Sequence, residues 1–330
     1  MNSFGKIFRV TIFGESHGYC VGVVIDGVTP GIDICEEDFE KDLKRRLPET
    51  RYITQRKEKD KVNIISGYFN GKTTGAPLTL ILKNKDVDSR TYENILNIPR
   101  PSHADFTSKI KYKGFNDFRG GGIFSGRLTA SIVLAGVVAK KMLNKVEFES
   151  KVISIGGEKY PGKKAEALLA KTAIEKDTLG AIIQTKIKNI PIGLGEPFFD
   201  GLESYLSHIL FSIPGLKAIE FGEGINSASI KGSQYIDKFI DKNGKTLTNN
   251  SGGINGGISN GNEIIFNCYF HPPVTMNKEL EYYDFSDEKV KKLALNFRYD
   301  ICYGLRTPVI VEASASIALI DLYLLFKSQN

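Results

Sequence analysis

Two histidines of this chain stand in polar, glycine-flanked stretches, and a run of three glycines stands between two arginines. His17 lies in Phe13-Gly14-Glu15-Ser16-His17-Gly18 and His103 in Arg100-Pro101-Ser102-His103-Ala104-Asp105. Imidazole most readily gives or takes a proton near neutrality, so both are acid/base candidates. Gly120, Gly121 and Gly122 follow Arg119 and lead through Ile123, Phe124, Ser125 and Gly126 to Arg127. Backbone without Cβ atoms can be approached closely by an anion or a flat ring. A helix expected over 128–143 sets the loop where unpaired helical N–H groups would face such a ligand. The chemistry indicated is the binding of something flat and negatively charged, with proton transfer beside it.

A third polar cluster runs from Arg298 to Pro308, with Asp300 between Arg298 and Arg306. A carboxylate between two arginines before a helix suits an ion-paired corner and a site equally well. Ser16-His17 and Ser102-His103 each put a hydroxyl beside an imidazole, but adjacent residues rarely have nucleophile–base geometry, which disfavours a hydrolase. Gly71-Lys72-Thr73 lacks the upstream glycine of a P-loop. His208 falls inside an apolar helical pattern and reads as a packed residue.

The elements that must position these groups alternate. Strands are expected over 6–13, 22–26, 62–69, 78–83, 152–155, 180–187, 218–221 and 263–270, where β-branched and aromatic residues collect. Helices are expected over 36–47, 128–143, 164–176, 202–210, 287–297 and 309–326, the last entered by Thr307 as N-cap and Pro308 at the first helical position. The stretches 69–82 and 252–270 share a glycine turn followed by a strand, which hints at an internal duplication. No Rossmann spacing and no linker appear, so one large α+β domain over 1–330 is the expected class.

Composition bounds the rest. At 330 residues, 41% hydrophobic and 25% charged, the chain reads as an ordinary globular protein. Its most apolar stretch, 309–326, is interrupted by Glu312, Ser314, Ser316 and Asp321 and is expected as a buried amphipathic helix rather than a membrane span. The N-terminus lacks a signal-peptide layout, so a cytoplasmic location is expected. Cys20, Cys35, Cys268 and Cys302 form no Cys-x-x-Cys pair, and buried free thiols are expected rather than a metal site. The net charge of +6 is concentrated between Lys41 and Lys61. That cluster is open to nucleic acid, a membrane surface or a small polyanion, its arginines being suited to phosphate and carboxylate.

In order along the chain, the His17 and His103 stretches, Asp26-Gly27-Val28-Thr29-Pro30-Gly31, Arg51-Tyr52-Ile53-Thr54-Gln55-Arg56, the Ser66–Gly75 segment, the glycine loop, Gly193-Leu194-Gly195-Glu196-Pro197, the Ser251–Ser259 segment and the Arg298–Pro308 corner resemble the chorismate synthase family. The resemblance covers nearly the whole chain. It implies a β-α-β-α sandwich, a homotetramer with sites near subunit edges, and no nucleic-acid or membrane partner. It further implies conversion of 5-enolpyruvylshikimate 3-phosphate to chorismate by 1,4-elimination of phosphate, with reduced FMN required and NADPH as flavin reductant in some members.

By matching motifs, the family's substrate-binding arginines fall on Arg46, Arg51, Arg56, Arg100 and Arg127. Its flavin contacts fall on Ile123, Phe124, Ser125, Pro214, Gly215, Gly256, His271, Pro272, Pro273, Val274, Thr275 and Arg298. The resemblance implies that His103 protonates the leaving phosphate, His17 maintains the protonation of reduced flavin, and Asp300 assists removal of the C6 proton. Three places depart from the family's commonest pattern. Ile123-Phe124-Ser125-Gly126-Arg127 replaces Arg-Ser-Ser-Ala-Arg, Pro214-Gly215 stands where Asn-Ala is frequent, and His271 stands where lysine is frequent.

Overall fold

The computed structural model describes residues 2–54, 60–85, 87–89, 92, 96–294 and 297–329. The first half of the chain gives β1 (Ser3–Phe4), β2 (Arg9–Gly14), β3 (Cys20–Asp26), α1 (Glu40–Arg45), β4 (Val62–Ser66), β5 (Tyr68–Phe69), β6 (Lys72–Thr73), β7 (Leu78–Lys83), α2 (Asp105–Lys111) and α3 (Thr129–Met142). The second gives β8 (Glu147–Ile155), β9 (Glu158–Lys159), α4 (Lys163–Ile174), β10 (Ala181–Lys188), α5 (Leu202–Leu210), β11 (Leu216–Phe221), α6 (Gly232–Tyr235), β12 (Ile254–Asn255), β13 (Ile258–Ser259) and β14 (Ile264–Phe270). A hairpin, β15 (Leu280–Asp284) and β16 (Lys289–Leu293), precedes the long α7 (Pro308–Gln329).

Two five-stranded antiparallel sheets carry the fold, ordered β1-β2-β3-β7-β4 and β11-β14-β10-β8-β9. Read from its β9 edge, the second sheet repeats the first. In each, the fourth main strand (β7, β14) is inserted between the second (β3, β10) and the third (β4, β11). In each half a helix (α1, α5) joins second to third strand, a two-stranded hairpin (β5–β6, β12–β13) joins third to fourth, and a long helix follows. A register irregularity falls in the same pairing both times, between Ile64 and Ser66 and between Leu216 and Ala218. The shared pattern of 69–82 and 252–270 is therefore the visible part of a duplicated topology.

The expected α+β sandwich is present, and α3 and α7 form its middle. α3 packs on the first sheet, α7 on the second, and the two helices on each other. A helix enclosed on all sides has no polar face to offer water. Accordingly every residue from Thr129 to Ala139 and from Val309 to Leu322 is buried, so α7 is a core helix without the exposed face an amphipathic one would need. It is long and apolar enough to cross a membrane, but 78% of its apolar window lies inside the protein. The helices touch at Gly136, where a Cβ would overlap Ala313. The charges that interrupt 309–326 are satisfied internally. Glu312 accepts from both Arg45 Nη atoms at 2.7 and 2.6 Å, Lys140 Nζ at 3.1 Å and Ser150 N at 2.9 Å. Asp321 accepts from the backbone of Lys6, Ile7 and Phe8 at 2.7–2.8 Å.

Three further expectations are corrected. The helix over 287–297 is instead the second strand of the β15–β16 hairpin, with residues 295 and 296 outside the described ones. Asp284 Oδ1 accepts from the N–H groups of Ser286 and Asp287, a side-chain-closed turn that competes with helix formation. Thr307 does not cap α7: its hydroxyl donates back to the Tyr303 carbonyl at 2.9 Å, while Pro308 takes the first helical position as expected. Of the four free thiols, Cys268 and Cys302 are buried, but Cys20 is half-buried and Cys35 exposed.

Candidate active site

The loop from Arg119 to Phe124 makes tight 3-10 turns in which Gly120, Gly121 and Gly122 all have positive φ, at 60°, 82° and 52°. Only glycine adopts such a run without strain. The space freed by the missing side chains is used by the two histidines. A Cβ on Gly120 would overlap the His17 ring, and one on Gly121 would sit 3.4 Å from His103 Cε1 and 3.6 Å from its Nε2. Residues 86 positions apart in sequence thus face one strip of backbone.

Each imidazole is oriented from its Nδ1 side. His17 lies on the turn between β2 and β3, with Nδ1 2.8 Å from Ser89 Oγ and Tyr92 edge-on at 5.3 Å between ring centres. His103 Nδ1 is 2.6 Å from Asp105 Oδ1 and 3.1 Å from Arg100 Nη2. Guanidinium nitrogens only donate, so Nδ1 cannot bond both. The short contact to a carboxylate places the proton on Nδ1, leaving Nε2 as the working nitrogen. Arg100 holds Asp105 through Nε and Nη2 at 2.8 and 2.9 Å and its own N–H at 3.0 Å, donates Nη1 to Thr275 Oγ1 at 3.0 Å, and lies over the Phe297 ring at 5.3 Å. Burial alone would raise the Asp105 carboxyl, but the bonds from Arg100 and His103 hold it well below the usual carboxylate range.

A second set of charges lies beyond the loop. Arg127 gives Nη1 to Asp60 Oδ1 at 2.6 Å and Nε to Asn84 Oδ1 at 3.0 Å. Asn84 in turn donates to the carbonyls of Glu15 and Gly18, tying Arg127 to the His17 turn. Arg46 approaches the other Asp60 oxygen at 3.8 Å and donates to Gly126 O at 3.0 Å and Thr129 Oγ1 at 3.2 Å. The third set is Asp300, whose Oδ1 accepts from Thr54 N at 2.8 Å and Arg306 Nη2 at 3.1 Å, so of its two flanking arginines it pairs with Arg306.

Known proteins match this chain over nearly its whole length. The family model for chorismate synthase matches residues 8–324. A chorismate synthase of Chitinophaga pinensis is 45% identical over 331 residues, spanning 100% of this chain and 98% of its own length. That of Korarchaeum cryptofilum is 38% identical over 346 residues and 96% of each chain. The chain belongs to the chorismate synthase family. A crystal structure of chorismate synthase shares the fold, with a TM-score of 0.76 at 24% identity over 98% of this chain and 93% of that one.

Of the residues matched to the family's flavin contacts, Thr275 meets Arg100, and Pro273 O accepts from Thr178 Oγ1 at 2.7 Å. Pro272 is exposed, Val274 is half-buried, and the N–H of His271 donates to Gly215 O at 3.0 Å beside exposed Pro214. Tyr303 edges the His271 ring at 6.4 Å, and its hydroxyl fills the space a Cβ on Gly215 would need. Arg298 acts electrostatically on Tyr92, whose hydroxyl is pushed up by burial against the opposing pull of Arg100 and Arg298. Ser125 bonds Ser16 Oγ at 3.1 Å, Ile123 packs on the core, and Phe124 is 38% exposed beside Tyr112. Gly256 lies in a turn that packs through Gly257 on Glu196 and Gly201, at the entry to α5. Arg51 is exposed and donates to Tyr52 Oη at 3.0 Å, and Arg56 lies outside the described residues.

Within the basic cluster, Arg45 and Arg46 turn inward into ion pairs, while Arg51 is exposed. Arg119, at the head of the glycine loop, grips Asp117 through two bonds at 2.9 and 2.8 Å instead of facing a ligand. Gly14-Glu15-Ser16-His17-Gly18 also spells the Gly-x-Ser-x-Gly of a nucleophile elbow. However, it joins two antiparallel strands rather than strand to helix, and Ser16 is 4% exposed against Ser125. Residue type alone does not single out Asp60, Asn84 or Asp105. Only Asp105 carries a local signal, a carboxylate two positions after His103.

Proposed function

We propose that this chain converts 5-enolpyruvylshikimate 3-phosphate to chorismate and phosphate, a carbon–oxygen lyase reaction of the shikimate pathway dependent on reduced FMN. The observation that carries the reading is the pair of imidazoles set on Gly120 and Gly121 beside buried arginines. Phosphate leaves poorly from an unactivated carbon, so the departing oxygen needs a proton as the C3–O bond breaks. His103 is suited to give it: Asp105 secures Nδ1 and supports the protonated ring, and Nε2 faces the loop. General acid help of this kind supplies roughly 10²–10⁴-fold. Arg46 and Arg127 gather the substrate's anionic groups through charge-assisted hydrogen bonds. Asp300 has Oδ2 without a hydrogen bond among the described residues, which leaves it available to the C6 proton.

Two observations support a flavin at the matched segments. The Tyr303 hydroxyl is buried without a partner among the described residues, against Gly215 and His271. Gly126, between the flavin-matched Ser125 and Arg127, is exposed, and a Cβ added there would meet nothing within 4 Å. Residues 271–275, Gly215 and Ser125 would hold the cofactor, with His17 maintaining its protonation. Reduced FMN, when bound, supplies transient electron donation to the substrate ring. NADPH as reductant, a homotetrameric assembly and a cytoplasmic location belong to the same reading. Anaerobic assay of phosphate release with chemically reduced FMN tests it: folded, flavin-loaded protein that does not turn over would sink the proposal.

A further inference from the structure

We propose that Asp60 is an internal counter-anion of the Arg46–Arg127 site, which holds the site closed to small anions and yields to the substrate. This rests on the reading above that these two arginines receive the substrate's anionic groups. The three side chains are among the most buried charges in the protein, at 3%, 1% and 3% exposure for Arg46, Arg127 and Asp60. Asp60 lies between the two guanidinium groups, 2.6 Å from Arg127 Nη1 and 3.8 Å from Arg46 Nη1, so a second anion on these arginines meets its charge.

The pairing is also incomplete, unlike those of Arg45 and Arg100. Arg45 grips Glu312 with two nitrogens at 2.7 and 2.6 Å, and Arg100 grips Asp105 with two at 2.8 and 2.9 Å. Arg127 gives Asp60 only Nη1, while its Nη2 and the Asp60 Oδ2 are both buried without hydrogen-bond partners among the described residues. A buried donor and a buried acceptor left unused in one cluster mark a site awaiting another group. Gly126, whose carbonyl binds Arg46, is exposed and gives an approach from solvent.

An anion entering this site meets the Asp60 charge at close range. A lone phosphate, with few other contacts, is repelled, whereas a substrate carrying a phosphate and two carboxylates draws on contacts elsewhere to displace Asp60. After elimination the same carboxylate favours release of the product phosphate. Asp60 thus sets specificity and release without itself touching the reacting atoms.

Inorganic phosphate is the probe, titrated calorimetrically into wild type, Asp60→Asn and Arg127→Lys, each checked by thermal melting. Removing one like charge at this range is expected to tighten phosphate binding by about tenfold in Asp60→Asn. Equal or weaker binding there, with binding weakened in Arg127→Lys, overturns the proposal while leaving the anion site standing. Unchanged binding in Arg127→Lys overturns the arginine assignment and the proposal with it. Wild-type protein gives a test independent of the variants' folding. Saturating 5-enolpyruvylshikimate 3-phosphate should raise amide exchange across residues 60–66 as Asp60 is displaced, and slowed or unchanged exchange there overturns displacement.

Discussion

His103 donates its Nδ1 proton to Asp105 across 2.6 Å, on a carboxylate that Arg100 already holds with two nitrogens. The three residues act as one unit in which charge decides orientation. Arg100 is matched to a substrate ligand of the family, yet its donors go to Asp105 and Thr275. In this state it holds the carboxylate against which the His103 ring is set.

Asp105→Asn is therefore expected to lower turnover by about tenfold or more, as loss of a residue orienting a catalytic imidazole does. The same substitution should flatten the acid limb of stability. A carboxyl held below its unfolded value of about 3.9 stabilises the fold above that pH and loses the contribution as pH falls through the folded value. Urea midpoints measured from pH 3 to 7 should drop more steeply at the acid end in wild type than in the variant. Parallel curves would remove Asp105 from that account.

Gly120→Ala should impair the enzyme through His17. The new methyl would overlap the imidazole at a residue whose φ is 60°. Turnover is expected to fall at least about tenfold, as in His17→Ala and His103→Ala, with the fold kept by circular dichroism. In the double variant His17→Ala/Gly120→Ala the overlap is gone, so its turnover should match His17→Ala alone apart from backbone strain. Fully additive losses would show that the two residues act separately.

The site was legible in the sequence as residue types and illegible as distances. His17, His103 and the triple glycine could be named because few other residues do their chemistry. That the glycines exist to admit the two rings depends on the β2–β3 turn and the 3-10 loop meeting in space. Asp60 and Asn84 lie in ordinary polar surroundings, and their roles arise only from Arg127 reaching both. The fold followed similarly. Alternating burial made β10 and β14 readable, whereas the charged 287–297 stretch has helical spacing that the Asp284 turn overrides.

Glu312→Gln tests the middle layer. The carboxylate serves Arg45, Lys140 and Ser150 from within α7, at 1% exposure. Neutralising it leaves Arg45 and Lys140 with Asp42 as their one shared carboxylate, at 3.2 and 2.8 Å. Breaking a buried pair from one side costs about 3–5 kcal/mol, which urea denaturation should register. A loss under about 1 kcal/mol would mean that water replaces the carboxylate.

Tyr303→Phe should move stability and flavin affinity in opposite directions. The phenol is buried without a partner among the described residues, and burial pushes its hydroxyl well above the ordinary tyrosine range. An unsatisfied buried hydroxyl costs about 1–3 kcal/mol, so removing it should stabilise the flavin-free protein. If the hydroxyl is kept because FMN receives it, the same change should weaken FMN binding by about tenfold, read by flavin fluorescence. Gly215→Ala, which restores the family's frequent residue, should weaken FMN through the opposite fault, a methyl that displaces the phenol. The double variant should recover part of that loss, since phenylalanine leaves room at the ring's edge. Unchanged flavin affinity in Tyr303→Phe would assign the phenol to packing alone, and the glycine at 215 would then be explained by space rather than by cofactor binding.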